Sequence, residues 1–216
     1  MLEKTQLGKA RFSAVVISAI LILAIPIMAL DAASDIKRQW NFDVFLDEEK
    51  IGSHQFLVEQ LKDDYRVVSS AYFKFKLFFF IPITYRHNAT EVWRNGCLIS
   101  LESATRRRGK NTTVSGTSIG NAFLVSRNGD TYEVGNCVRS FAYWNPLLLT
   151  HEFLLNGETG KYLPVSLDKK NTQSGFTIII KPPSGELFLK YNEDGKWIAL
   201  EAKVKDVGTM KYILVE

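Results

Sequence analysis

The side chains best suited to chemistry in this sequence are a serine and a histidine in two short motifs. Gly116, Ser118 and Gly120 spell GxSxG, which surrounds the nucleophilic serine of many hydrolases. Such a serine is reactive on a sharp turn from a strand into a helix, beside an oxyanion hole and ahead of its acid and histidine partners. His151 follows Ser118 in the chain, but the segments on both sides of the motif alternate as strands do. This context favours a hairpin turn over a hydrolase site.

The remaining histidine motifs do not have the spacing of a metal site. His151 and Glu152 begin like a zinc-protease helix, but Leu155 stands where the second histidine is needed. His87 and Glu91 are four residues apart in a segment that alternates as a strand, where they share a face without forming a helical ligand pair. We predict no metal site and no cofactor. An enzyme using His87 with Glu91, or His151 with a serine, is the less favoured alternative and requires these groups to meet in one cleft.

The elements that must position these residues are strands. Apolar residues alternate with polar ones through most of the chain, and three hairpin-turn dipeptides, Asn95-Gly96, Asn128-Gly129 and Asp194-Gly195, lie between alternating runs. No segment has a helical period long enough to connect parallel strands. The sequence therefore predicts an all-β fold over residues 34–216, as a single domain that is a curved antiparallel meander sheet or an open β-barrel.

The first 33 residues have the pattern of a targeting segment. Lys4, Lys9 and Arg11 precede an apolar run over residues 13–30. That run is longer than most signal-peptide cores and near the lower limit for a membrane-spanning helix. Residues 1–33 are therefore predicted to be a cleaved signal peptide or an uncleaved N-terminal membrane anchor. In both cases the rest of the chain is exported across the inner membrane, and is periplasmic or anchored facing the periplasm.

The two cysteines agree with an exported, oxidising compartment, and the net charge bears on a different question, nucleic acid binding. Cys97 and Cys137 are the two cysteines of the chain, and neither belongs to a metal-binding cluster. In an oxidising space we expect them to form a disulfide, with two buried thiols as the alternative. The formal net charge of +4 is too small to indicate nucleic acid binding.

Two segments interrupt the strand alternation and carry most of the functional information. Residues 77–83 are continuously apolar, and Pro82 cannot donate a hydrogen bond to a sheet. This run is expected to be a buried strand or, alternatively, an exposed lip facing a membrane or a ligand. Residues 141–165 have irregular apolar spacing and are expected to fill the core or to cover the concave face of the sheet, where β-barrels hold ligands.

These two interruptions suggest that the sheet binds an apolar molecule. We expect an exported, non-enzymatic protein that binds or carries a lipid or another apolar ligand of the envelope; an uncleaved leader would add membrane association. A structural envelope protein with a protein partner is the alternative. The candidate ligand contacts are Tyr85, His87, Trp93, Tyr143, Trp144 and Asn145.

Three groups of motifs resemble a family of exported bacterial proteins that is known only as a domain of unknown function. They are Phe45-Leu46-Asp47 with Ile51-Gly52, Glu91-Val92-Trp93 with Gly96-Cys97-Leu98, and Tyr143-Trp144-Asn145-Pro146. The resemblance covers nearly the whole chain after the leader. It implies a periplasmic protein with a curved antiparallel sheet or open barrel, and it implies no catalytic residues.

One turn departs from the pattern of that family. Residues 106–108 are three consecutive arginines, followed by Lys110, where the resemblance leads us to expect Asn, Asp and Gly. Most basic runs of this kind are solvated turns. The alternative is an electrostatic contact with anionic lipid head groups, lipopolysaccharide or another polyanion.

Overall fold

The structure is a computed structural model that describes residues 37–77, 80–205 and 207–215. The predicted signal peptide or anchor over residues 1–33 lies outside these ranges. Within them, no helix combines the length and the hydrophobicity that crossing a membrane requires.

The described residues form β-strands and one short 3-10 helix, and all strand pairs between named strands are antiparallel. The strands are β1 (Lys37–Leu46), β2 (Glu49–Leu61), β3 (Asp64–Leu77), β4 (Ile81–Arg94), β5 (Cys97–Arg107), β6 (Lys110–Ile119), β7 (Ala122–Arg127), β8 (Asp130–Val134), β9 (Phe153–Asn156), β10 (Lys161–Pro164), β11 (Ser166–Thr172), β12 (Gly175–Lys181), β13 (Leu187–Tyr191), β14 (Trp197–Val204) and β15 (Gly208–Val215). The 3-10 helix is Pro146–Leu148.

Thirteen of these strands form one sheet in the order β11-β12-β13-β14-β15-β1-β2-β3-β4-β5-β6-β7-β8. Chain neighbours pair as hairpins, as the Asn-Gly turns predict: Asn95 and Asn128 have positive φ and each precedes a glycine with positive φ. The exception is the pair of β1 with β15, which joins the two halves of the chain. The predicted all-β antiparallel meander is confirmed, and its edge strands β8 and β11 do not pair with each other in the described structure.

The sheet is strongly curved. Phe73 lies on β3 and Tyr212 on β15, three strands away, so their side chains would be about 14 Å apart on a flat sheet. Their ring centroids are 6.3 Å apart. Side chains from distant strands therefore converge on the concave face, where the core forms: Phe42 of β1 packs against Trp197 of β14 with ring centroids 4.2 Å apart.

Residues 135–165, which we call the inner segment, connect the edge strands β8 and β11 and pack inside the curved sheet. This segment contains the 3-10 helix and the separate β9–β10 pair. Cys137 forms the predicted disulfide with Cys97 at the start of β5, and the Leu98 amide donates to the Val138 carbonyl at 2.9 Å. The inner segment therefore fills the core, and its Leu154 and Leu155 are fully buried.

The inner segment closes one end of the curved sheet. Successive hairpins turn at alternate ends, so the β4–β5 and β13–β14 turns share one end, which we call the disulfide end. Pro146 and Leu148 lie against Gly195 and Gly96 in these two turns. The opposite end, which we call the mouth end, carries the β1–β2, β3–β4, β5–β6, β7–β8, β12–β13 and β14–β15 turns.

The GxSxG motif has a packing role in this fold. Ser118 lies exposed in strand β6, so it precedes the turn, where the sequence had placed it within a turn. The turn itself is formed by Gly120, with φ of 58°, and Asn121. Gly116 faces the core, where a Cβ atom would lie 2.4 Å from the Phe123 ring. The two glycines thus serve close packing and a turn.

This packing predicts that Gly116→Ala destabilises the protein while Ser118→Ala does not. The added methyl group must displace the buried ring of Phe123, which costs about 1–3 kcal/mol of unfolding free energy. Removal of the exposed Ser118 hydroxyl changes that free energy by less than about 0.5 kcal/mol. Urea denaturation of both variants measures the difference, and equal midpoints for the two would contradict this description.

Candidate functional site

A cavity of about 510 Å³ opens at the mouth end of the sheet, and we call it the outer chamber. Every second residue of a strand faces inward, and most of these inward-facing residues are apolar, so the walls are mainly apolar. The walls come from both halves of the sheet, β3 and β4 on one side and β13, β14 and β15 on the other. The apolar wall residues of these strands are Phe73, Phe75, Ile83, Leu187, Leu200, Ala202, Val204 and Met210.

Charged side chains surround the opening of the outer chamber. The cations are Arg107 and Arg108 beside the β5–β6 turn, and Lys205 beside the β14–β15 turn. Among the described residues, Glu186 is the acidic residue at this rim. Positive charge therefore predominates where a ligand would enter.

A second cavity of about 200 Å³ lies deeper and has a larger polar share of its lining than the outer chamber; we call it the inner chamber. His87 and Glu91 of β4 line it, together with Ser140 and Trp144 of the inner segment. Residues shared by both cavities form the boundary between them. They are Tyr85, Phe141, Tyr143, Asn156, Glu158 and Tyr212.

Glu158 is the charged group at this boundary. Burial raises the pKa of its carboxyl group, while Arg107 and the Tyr85 hydroxyl group lower it. Arg107 Nη1 lies 3.7 Å from Glu158 Oε1. A carboxyl group thus lies between the outer chamber and the inner chamber.

Glu91 is held inside the inner chamber by two donors. Trp93 Nε1 donates to Glu91 Oε2 at 2.9 Å, and the Ser140 hydroxyl group also interacts with this carboxyl group. Burial nevertheless raises the pKa of Glu91. Trp144 Nε1 is buried and has no hydrogen-bond partner in the described structure, so a donor is available on the opposite wall.

Two of the histidines are hydrogen-bonded to hydroxyl side chains of neighbouring strands. His54 Nε2 lies 2.7 Å from Ser69 Oγ, and His87 Nδ1 lies 2.8 Å from Thr105 Oγ1. Burial lowers the pKa of His54 to about 3 and that of His87 to about 4. Both rings are therefore neutral at physiological pH.

Four of the six residues predicted as ligand contacts line a cavity. Tyr85 and Tyr143 border both chambers, and His87 and Trp144 line the inner one. The structure thus brings His87 and Glu91 to one cavity, whereas neither Ser118 nor His151 lines either chamber.

The other two predicted contacts have structural roles. Trp93 is 1% exposed and packs edge-on against Trp144 at a centroid distance of 6.2 Å. Asn145 begins the 3-10 helix, and its Oδ1 accepts a hydrogen bond from the Leu147 amide at 3.1 Å. Neither residue lines a chamber.

The apolar run over residues 77–83 is exposed around the β3–β4 turn. Residues 78 and 79 lie outside the described structure. Phe80 is 75% exposed in the β3–β4 turn and Ile81 is 40% exposed, whereas Ile83 is buried in the wall of the outer chamber. The described part of the run therefore matches the alternative interpretation, an exposed lip at the mouth end.

Sequence reasoning missed most of the outer chamber. Phe73 and Phe75 were visible as the inward face of one strand, but their partners across the cavity, Leu200 and Ala202, lie more than a hundred positions later in the chain. Glu158 was not selected because nothing in its local sequence distinguishes it from a loop carboxylate.

The chambers offer apolar surface and hydrogen-bonding groups. Among residues 37–77, 80–205 and 207–215, no three His, Cys, Asp or Glu side chains are grouped to hold a metal ion. The arrangement is suited to binding a molecule with a large apolar part.

The lowered histidine pKa values predict a loss of stability in acid. In the unfolded chain both imidazoles take up a proton as the pH falls below about 6.5, whereas in the folded chain His87 and His54 do so only near the pKa values of about 4 and about 3. Each histidine therefore lowers the free energy of unfolding by about 2 kcal/mol when the pH falls to about 5. A His54→Gln/His87→Gln variant should show a flatter decline of unfolding free energy with falling pH, measured by urea denaturation. An identical pH dependence in both proteins would contradict the assignment.

Comparison with known proteins agrees with the architecture. A solved structure, a β-barrel-like protein of the domain of unknown function DUF1849 from Brucella abortus, is similar with a TM-score of 0.61 and 8% sequence identity, covering 84% of this chain and 96% of that one. At this identity the likeness concerns the fold alone. No curated protein matches the sequence.

The family model for a domain of unknown function, DUF6134, matches residues 42–215, which span all strands from within β1 to the end of β15. This agrees with the uncharacterised family that the sequence motifs resemble. The chain belongs to the DUF6134 family.

Proposed function

We propose that this protein is an exported, non-enzymatic binding protein that carries a lipid or another apolar ligand of the cell envelope in its outer chamber. The observation that carries the proposal is the open, apolar cavity of about 510 Å³ between two halves of the sheet. Cavities of this size are typical of small-molecule sites, which bury most of the ligand surface.

The walls of the outer chamber supply the driving force for an apolar ligand. Each methylene group that leaves water contributes about 0.8 kcal/mol, so a medium-length acyl chain gains enough to offset the cost of association. The walls belong to paired strands in the middle of the sheet, so this surface is preformed. A preformed site loses little free energy in ordering its own side chains.

The lip supports a lipid as the ligand. Phe80 is 75% exposed at the mouth end, next to a strand pair whose inward residues Phe75 and Ile83 line the chamber. Exposed apolar side chains beside an apolar cavity are typical of sites that exchange a hydrophobic molecule with a surface.

The basic, apolar N-terminal segment and the Cys97–Cys137 disulfide support export to an oxidising compartment.

A variant that fills the chamber tests this proposal. Ala202 is 8% exposed and lines the outer chamber, so Ala202→Trp places an indole ring where the ligand would lie. Ala104 is exposed on β5, and Ala104→Trp is the matched control. We expect the unmodified protein and Ala104→Trp to bind a fluorescent fatty acid analogue, and Ala202→Trp to bind it at least about tenfold more weakly.

The measurement is a fluorescence titration, with circular dichroism to establish that both variants fold. If the unmodified protein does not bind the analogue, or if Ala202→Trp binds it as well as the control does, the outer chamber is not the site.

A further inference from the structure

We infer that the ligand of the outer chamber is an anionic amphiphile, whose carboxylate or phosphate head group is bound at the mouth by Arg108 and Lys205. This inference rests on the proposed function, because it specifies the ligand class for the same chamber. Three observations on the mouth carry it.

The first observation is the unbalanced charge at the rim. Arg107 is paired with Glu158, and Glu186 is paired with Lys181, whose Nζ lies 3.7 Å from its Oε1. Among the described residues, no carboxylate lies within ion-pairing distance of Arg108 or Lys205.

Both cations line the outer chamber. An opening that carries one sign of charge above low-dielectric walls attracts ligands of the opposite sign. The rim therefore selects an anion.

The second observation is the backbone at Arg108. Arg108 has φ of 50° and is followed by Gly109 with φ of 75°, as in the two-residue hairpin turns that favour Asn or Asp at their first position. Asn95 and Asn128 occupy the same place in the β4–β5 and β7–β8 turns. The turn therefore places Arg108 at the rim of the chamber, although its backbone conformation favours Asn or Asp.

The third observation is the polarity gradient along the chamber. The walls below the rim are apolar, and the deep boundary carries the Glu158 carboxyl group with the Tyr85 hydroxyl group. An anionic head group is attracted by the rim and disfavoured beside Glu158. The ligand is therefore oriented with its chain inside and its head group at the mouth.

Binding of three single-chain probes tests the head-group assignment. Dodecanoic acid, dodecyl phosphate and dodecanol have the same chain length and differ in head group. We expect at least one anionic probe to bind about tenfold more tightly than dodecanol at low ionic strength, and this ratio to fall as salt is added. A preference for the acid or for the phosphate identifies which oxyanion the mouth accepts, and either preference supports the inference.

Charge reversal at the mouth gives the matched comparison. Arg108→Glu/Lys205→Glu should weaken binding of the preferred anionic probe by about tenfold or more and leave dodecanol binding within about twofold. The control, Lys62→Glu/Lys196→Glu, makes the same change in net charge at exposed positions in turns of the disulfide end. We expect this control to retain the preference for the anion.

The outcomes separate this inference from the proposed function. Equal affinity for all three probes, or an anion preference that survives reversal at the mouth, would overturn the head-group assignment while the chamber remains a site for apolar ligands. Failure of all three probes to bind the unmodified protein would overturn the proposed function as well.

Discussion

The whole structure depends on how the concave face of an open, curved sheet is kept from water. A sheet that curves until β3 and β15 bring Phe73 and Tyr212 together presents a continuous apolar interior. Because its edge strands β8 and β11 do not pair in the described structure, closure of the barrel cannot enclose that interior. The inner segment encloses it instead. Apolar burial drives this packing, and the Cys97–Cys137 disulfide fixes where the segment enters.

The length and course of the inner segment explain why a chamber exists at all. Two of its aromatic residues pack toward the disulfide end, where Trp144 meets Trp93 and Tyr143 meets Trp197 with centroids 5.4 Å apart. The segment then leaves through the β9–β10 pair and does not fill the space between β3 and β14. The same element that completes the core at one end therefore leaves apolar walls uncovered at the other, and the turns at that end supply the cations.

The sequence predicted what depends on local patterns. Alternation identified the inward face of β4 from Ile83 to Trp93, and the Asn-Gly dipeptides located hairpin turns because their backbone conformation requires those residues. The sequence also predicted the disulfide, and it predicted that residues 141–165 fill the core or cover the concave face of the sheet. What it could not predict is which inward residues meet across the interior. The chambers depend on the β1–β15 pair and on curvature, and no single segment encodes either of these.

The crystal structure of the protein with dodecanoic acid would test the central claim most directly, that the inner segment leaves an apolar chamber which holds a ligand. The account predicts the acyl chain between Phe73 and Leu200, with its carboxylate beside Arg108. A chamber that is filled by its own side chains, or a fatty acid bound only on the outside of the sheet, would contradict it.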